Sequence, residues 1–152
     1  MNEMNFKLFI ESNEFEKDVK KMLKRLPANH SKLVKGYKFE KQDDNVLKND
    51  PKNVGEIDEK NKIIKISSPW NYSRSFVALH EVAHAVWKYI LNDEMKKSWN
   101  ELVKKEKKTN KNKDGLKQNS EEIFCMIYAQ FYCENKMEKY NYPNLEKFVK
   151  SI

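Results

Sequence analysis

The segment His80-Glu81-Val82-Ala83-His84 constrains the fold more than any other part of the chain. Its two histidines are four residues apart, and residues at this spacing share one face of an α-helix, so both imidazoles can reach one cation. Glu81 lies roughly 100° around such a helix from His80, and it can face the open side of the cation without being a ligand. The segment therefore predicts a helix that carries a metal ion and a general base.

The flanking residues also predict this helix. Between Ser73 and Leu91 apolar residues recur at helical spacing, and Ser73 or Ser75 is available as the N-cap. The apolar positions cover most of the helix circumference, so the histidines lie on a largely buried element where an unpaired polar group is costly. Metal binding removes that cost. The alternative is a core helix in which both histidines bond to backbone carbonyls.

Length and composition predict a single domain over residues 1–152. The chain is 39% hydrophobic and 35% charged, and no Pro/Gly/Ser-rich linker divides it. No apolar run is long enough for a membrane span, and the N-terminus lacks the features of a secretory signal. We therefore expect a cytoplasmic protein, or a secreted one if a signal peptide has been removed, without a membrane partner. Cys125 and Cys133 are expected to be free thiols, because eight helical residues separate them by about 12 Å.

The net charge of +7 is concentrated in one region. Nine lysines lie between Lys96 and Lys117, against three acidic residues. Arginine is rare in the chain, and Trp99 is the only aromatic residue among these lysines. The region therefore has few side chains that could make bidentate phosphate contacts or stack on bases. We interpret the region as a solvated basic face and do not expect nucleic acid as a partner.

The remaining pattern predicts an α+β fold. Pro27 ends the first predicted helix, Pro143 opens the last, and Gly36 marks a bulge in a strand. The strand before the motif helix is typical of the edge of a peptidase cleft, where an extended peptide adds by backbone hydrogen bonds. The predicted strands are 6–10, 33–39 and a hairpin of 54–57 with 63–67, and the predicted helices are 13–26, 73–91, 95–103, 120–134 and 143–152.

A third metal ligand is needed, because a catalytic zinc usually takes three protein ligands and keeps its fourth position for water. His30 is the only other histidine, and it lies far upstream. We therefore expect a carboxylate from Glu121 or Glu122, which open a downstream apolar helix that can aim a side chain into a cleft. Of the two we choose Glu122. Its structural alternative is a capping box, Asn119-x-x-Glu122.

These two segments together resemble the gluzincin metallopeptidases of the anthrax lethal factor and Pro-Pro endopeptidase group. In that family the zinc glutamate is followed by two bulky apolar residues and a small one, as in Glu122-Ile123-Phe124-Cys125. The resemblance covers roughly residues 54–132. It implies that His80, His84 and Glu122 bind one Zn²⁺ ion and that Glu81 is the catalytic base.

The resemblance further implies a zincin-like metalloprotease fold, with a small mixed sheet before the H-E-x-x-H helix and a mainly helical half after it. The implied activity is that of a zinc metalloendopeptidase, which hydrolyses peptide bonds of a protein or peptide substrate. Zinc would activate a water, and Glu81 would take its proton.

The chain departs from the family pattern at three places. Met126 replaces a second glutamate one turn after the zinc glutamate, Ala83 replaces a glycine, and residues 104–119 lack the tyrosine that stabilises the oxyanion. The oxyanion donor is then expected among four later tyrosines: Tyr128, Tyr132, Tyr140 and Tyr142.

Two other functions are consistent with the sequence. A regulatory peptidase that cleaves intracellular repressors also places H-E-x-x-H after an apolar strand, although the downstream glutamate segment fits it less well. The other is a zincin scaffold that has lost turnover and acts as a binding or assembly protein, as the missing tyrosine and second glutamate suggest.

Overall fold

The computed structural model describes residues 15–41, 55–66, 74–109, 116–133 and 141–152. They form an α+β structure that is mostly helical and contains one small mixed sheet. The chain is organised as two compact units, Met1–Ala78 and Leu79–Ile152, each described by itself. In the described residues, no helix is long and apolar enough to cross a membrane.

The first unit begins, in its described part, with helix α1 at residues 15–25. Pro27 separates α1 from the short helix α2, Ala28–Ser31, which a 3₁₀ turn, Lys32–Val34, follows. The end of the first predicted helix at Pro27 is therefore confirmed. Apolar side chains at helical spacing make the inner face of this segment, and those that are buried are Phe15, Val19, Met22 and Leu26.

The sheet of the first unit has three strands: β1, Lys38–Lys41; β2, Gly55–Asp58; and β3, Ile63–Ile66. Strand β3 is central and pairs parallel with β1 and antiparallel with β2. The predicted hairpin is confirmed, and Gly55 pairs with Ile66 at its open end. Asn61 closes the turn by donating from its backbone N–H to Asp58 Oδ1 over 3.1 Å.

The predicted strand at 33–39 is wrong over most of its length. Its first residues lie in the 3₁₀ turn, and Gly36 has a φ of +86°, which belongs to a turn and not to a bulge in a strand. The Tyr37 backbone N–H donates to the Val34 carbonyl over 3.0 Å, so the chain can extend only from Lys38 onward. The predicted strand at 6–10 lies outside the described residues.

The second unit is helical in its described part. Helix α3, Arg74–Tyr89, carries the motif and contains the boundary between the units. It is followed by α4, Asp93–Thr109; α5, Ser120–Tyr132; and α6, Pro143–Ser151. All four correspond to predicted helices, within two residues at their ends for α3, α5 and α6, while α4 is longer than predicted by two residues at its start and six at its end.

Trp99 on α4 organises the core of the second unit. Its side chain is fully buried, and its ring centroid lies 5.4 Å from that of Phe124 on α5 and 5.2 Å from that of Phe148 on α6. The indole N–H donates to the Ser120 carbonyl over 3.0 Å, and the Ser120 hydroxyl is hydrogen-bonded to the Asn100 side chain. Helix α4 therefore fixes the first turn of α5, where Glu121 and Glu122 lie.

Replacement of Trp99 tests this anchor. Trp99→Phe keeps an aromatic ring but removes the N–H donor, so we expect the free energy of unfolding to fall by about 1 kcal/mol. Trp99→Ala also removes the ring contacts, and we expect a loss of about 3–5 kcal/mol. Urea denaturation measures both. The exposed Lys97→Ala on the same helix is the control, and an equal effect of Lys97→Ala and Trp99→Ala would contradict the assignment.

Candidate metal centre

The H-E-x-x-H motif on helix α3 is largely buried. His80 is 8% exposed and Glu81 is 5% exposed, while part of the His84 side chain reaches the surface. The helix is apolar around them, with no exposed surface at Ala78, Leu79, Val82, Ala83 and Val86. The prediction of a largely buried motif helix is therefore confirmed. Its imidazoles are adjacent, with ring centroids 5.0 Å apart in an edge-to-face arrangement.

The carboxylate of Glu122 lies against both imidazoles. Its Oε2 is 3.0 Å from His80 Nε2, and its Oε1 is 3.1 Å from His84 Nε2. The three residues chosen from the sequence thus converge, although Glu122 is 38 positions beyond His84 and on a different helix. The contact joins α3 to α5 within the second unit.

The local structure of α5 explains why the Glu122 side chain is available for this contact. Asn119 is the N-cap, and its side-chain oxygen accepts the backbone N–H of Glu122 over 2.9 Å. The backbone half of the predicted capping box is therefore present. Both carboxylate oxygens of Glu122 contact histidine nitrogens, so this side chain serves the histidines and not the helix end.

Charge and hydrogen bonding are strongly coupled at this cluster. Hydrogen bonds from His80 and then His84 hold the pKa of Glu122 well below its ordinary value, against the opposing effect of burial. Burial lowers the pKa of His84, but the hydrogen bond to Glu122 and the charges of Glu81, Glu122 and Glu121 raise it overall. The negative charge of Glu81 therefore favours the protonated form of the His84 imidazole.

Glu121 lies on the outer side of the cluster. Its Oε1 is 3.9 Å from His84 Nδ1, and 41% of its side chain is exposed. Histidines that bind metals usually donate their second ring N–H to a carboxylate or carbonyl. Glu121 lies on the Nδ1 side of His84, beyond hydrogen-bonding distance, whereas Glu122 contacts Nε2 of the same ring. His80 Nδ1, in contrast, is buried without a hydrogen-bond partner in the part of the chain that the structure describes.

Cys125 is a donor that sequence reasoning left out of the site. Its sulfur, one nitrogen of His80 and one nitrogen of His84 all lie within 4.8 Å of one another. The signal in the sequence is its spacing, because residues three apart on a helix share a face and Cys125 follows Glu122 by three. Both cysteines are buried, and neither is in a disulfide, as predicted. His30 is buried in the first unit and is not part of this group.

The structure describes three of the four tyrosines that were expected as candidate oxyanion donors. Tyr128 is fully buried, and its ring packs against those of Phe124 and Tyr132 at 5.9 and 4.8 Å. Tyr132 follows Glu122 by ten residues on α5, so its backbone lies about 15 Å further along the helix axis. Tyr142 is buried at the start of α6, and Tyr140 lies outside the described residues.

The donor distances fit a small dication. With bond lengths of about 2.0–2.1 Å, neighbouring nitrogen and oxygen donors of a tetrahedral zinc site lie about 3.3 Å apart. The 3.0 and 3.1 Å separations between Glu122 and the two histidines are close to that value. Imidazole nitrogens with one carboxylate are also the donor types of catalytic zinc sites. These donor types and the two contacts of Glu122 are compatible with a metal site, and His80 and His84 also form a group with Cys125 that could hold a metal ion.

Comparison with known proteins adds no family to this geometry. A scan against protein-family models, a search of curated proteins and a search of solved structures find no match for this chain. The chemistry of the site is therefore inferred from the donors themselves.

The ligand assignment predicts different effects of two neighbouring glutamates. Glu122→Ala removes a donor, so we expect zinc affinity to fall by more than the 10–100-fold that typically follows loss of a supporting partner. Glu121→Ala removes at most such support and should stay within that range. Zinc content after dialysis and titration with a competing chelator measure both. Full zinc retention by Glu122→Ala would refute the assignment, and selective loss in Glu121→Ala would transfer it to Glu121.

Proposed function

We propose that this chain is a zinc-dependent endopeptidase, with His80, His84 and Glu122 as metal ligands and Glu81 as general base. The observation that carries the proposal is the placement of both Glu122 oxygens at hydrogen-bonding distance from the two motif histidines. These three side chains come from two different helices and are donor types of catalytic zinc sites, which supports the proposal. The buried H-E-x-x-H helix supplies the remaining residue types of this chemistry.

The residues of the chain then divide the reaction between them. A zinc ion held by His80, His84 and Glu122 would supply the Lewis-acid chemistry, which is polarisation of the scissile carbonyl and acidification of a water molecule. Glu81 accepts the proton of the attacking water on its carboxylate and delivers it to the leaving amide nitrogen. His80, His84 and Glu122 hold their donors on two rigid helices, which limits the reorganisation that binding requires. The first turn of α5 is held in turn by Trp99 and Asn100.

We also propose that the fold is zincin-like. Support comes from the element order, in which a mixed sheet ending in a hairpin precedes the H-E-x-x-H helix and a later helix carries the glutamate. The substrate class is a protein or peptide, and a repressor-like intracellular protein is one member of that class.

A second candidate function is a zinc-binding scaffold without turnover. Two observations favour it: Tyr128 is a core residue, and Cys125 lies close enough to the histidines to compete for the position that water needs. A protein that binds zinc but cleaves no member of a broad peptide library, with or without chelator, would support the scaffold over the enzyme.

Glu81→Gln tests the general base. The amide cannot accept the proton, so we expect peptide hydrolysis to fall by about 10²–10⁴-fold while zinc stays bound. Cleavage of library peptides and zinc content of the same preparation give the two readouts. The matched control is Glu94→Gln, an exposed glutamate in the first turn of α4, which should change neither. Equal cleavage rates for Glu81→Gln and the parent would refute the mechanism.

A further inference from the structure

The sulfur of Cys125 is a metal donor near the motif that the proposed peptidase mechanism does not use. Cys125 lies on α5 one turn after Glu122, has no exposed surface, and forms a close group with one nitrogen from each motif histidine. Thiolate is a preferred zinc ligand, and mixed sulfur and nitrogen donor sets are common in zinc sites. Together with Glu122, this group contains one donor more than a three-ligand catalytic site needs.

We propose that Cys125 is a fourth protein ligand of the metal, which completes a His80, His84, Glu122 and Cys125 donor set. The inference rests on the metal site proposed above. On binding, the thiol releases its proton to solvent and the sulfur forms a bond to the ion. When all four side chains bind, the ion is enclosed as in structural zinc sites, and no position is left for water.

The geometry allows this donor set with small movements. In a tetrahedral site, sulfur and nitrogen donors at bond lengths of about 2.3 and 2.0–2.1 Å lie about 3.6 Å apart. The sulfur and the two nitrogens are already within 4.8 Å of one another. Each sulfur–nitrogen pair therefore needs to approach by about 1.2 Å at most and the nitrogen pair by about 1.5 Å at most. Rotamer adjustments of Cys125 and of the two histidines can supply such movements without moving a helix.

The surroundings explain why Cys125 needs a metal to become a ligand. Burial, followed by the charges of Glu122, Glu121 and Glu81, raises the pKa of the Cys125 thiol well above its ordinary value. Without a cation the side chain is a small neutral core group. A bound dication supplies the opposing charge that favours the thiolate.

The consequence is a switch between two ligand sets at one site. With Cys125 bound, the protein holds zinc in a closed site; with Cys125 released, three ligands remain and water can enter. This regulates the proposed peptidase directly, because the same position serves the thiolate or the attacking water. A substrate that displaces Cys125 would open its own site.

Cobalt substitution tests the proposal. The reduced protein is titrated with Co²⁺ alone, and we expect an intense near-ultraviolet sulfur-to-cobalt charge-transfer band together with visible bands of a tetrahedral ion. Cys125→Ser should lose the near-ultraviolet band and keep the visible ones. Cys133→Ser is the matched control, because Cys133 is also a buried cysteine outside any disulfide but follows the other end of α5, and it should keep both. A near-ultraviolet band of equal strength in Cys125→Ser and the parent would overturn the proposal.

A second measurement needs no variant and covers the case in which Cys125→Ser does not fold. X-ray absorption of the zinc-loaded parent should show one sulfur at about 2.3 Å in addition to nitrogen and oxygen at about 2.0–2.1 Å. A shell of nitrogen and oxygen alone would overturn the role of Cys125 and leave the three-ligand peptidase site standing. A parent protein that binds neither Co²⁺ nor Zn²⁺ would instead refute the metal site itself.

Discussion

The contact of one carboxylate with two imidazoles is the interaction on which the second unit depends. Glu122 links α3 to α5, and the packing of Trp87 against Phe124, with ring centroids 5.3 Å apart, reinforces the same pair of helices. The contact needs α5 to begin at a fixed place. Asn119 caps its first turn, and Trp99 holds the Ser120 carbonyl. The polar contacts of Glu122 and the packing of the aromatic side chains therefore stabilise the same pair of helices.

Much of this arrangement could be predicted because it is encoded locally. The four helices of the second unit were predicted from the helical spacing of their apolar residues. The hairpin was predicted from two short apolar segments separated by the turn that contains Asp58 and Asn61. Glu122 was predicted as a neighbour of His80 and His84 because a zinc motif lacks a third donor, which limits the choice to a few carboxylates. That prediction used the number of ligands that a catalytic zinc ion requires and no information on how the helices pack.

The parts that were missed depend on contacts that no local pattern contains. Residues 33–39 alternate enough to suggest a strand, but the 3₁₀ turn at Lys32–Val34 and the positive φ of Gly36 keep the chain out of a strand until Lys38. Cys125 was described only as a free thiol, because its proximity to the histidines depends on how α3 and α5 pack. Which of Glu121 and Glu122 contacts the histidines likewise depends on the rotation of α5 about its axis, which the sequence alone does not determine.

The burial of α3 around its circumference also bears on how this chain can diverge. Most of its residues are buried, so a change of volume there opens a cavity or overfills the core, and both cost stability. The exceptions are His84, which reaches the surface in part, and the two ends of the helix, of which the last turn has Lys88 and Tyr89 exposed. Substitutions on α3 are therefore tolerated best at its exposed end, and divergence of the chain is most restricted where the motif lies.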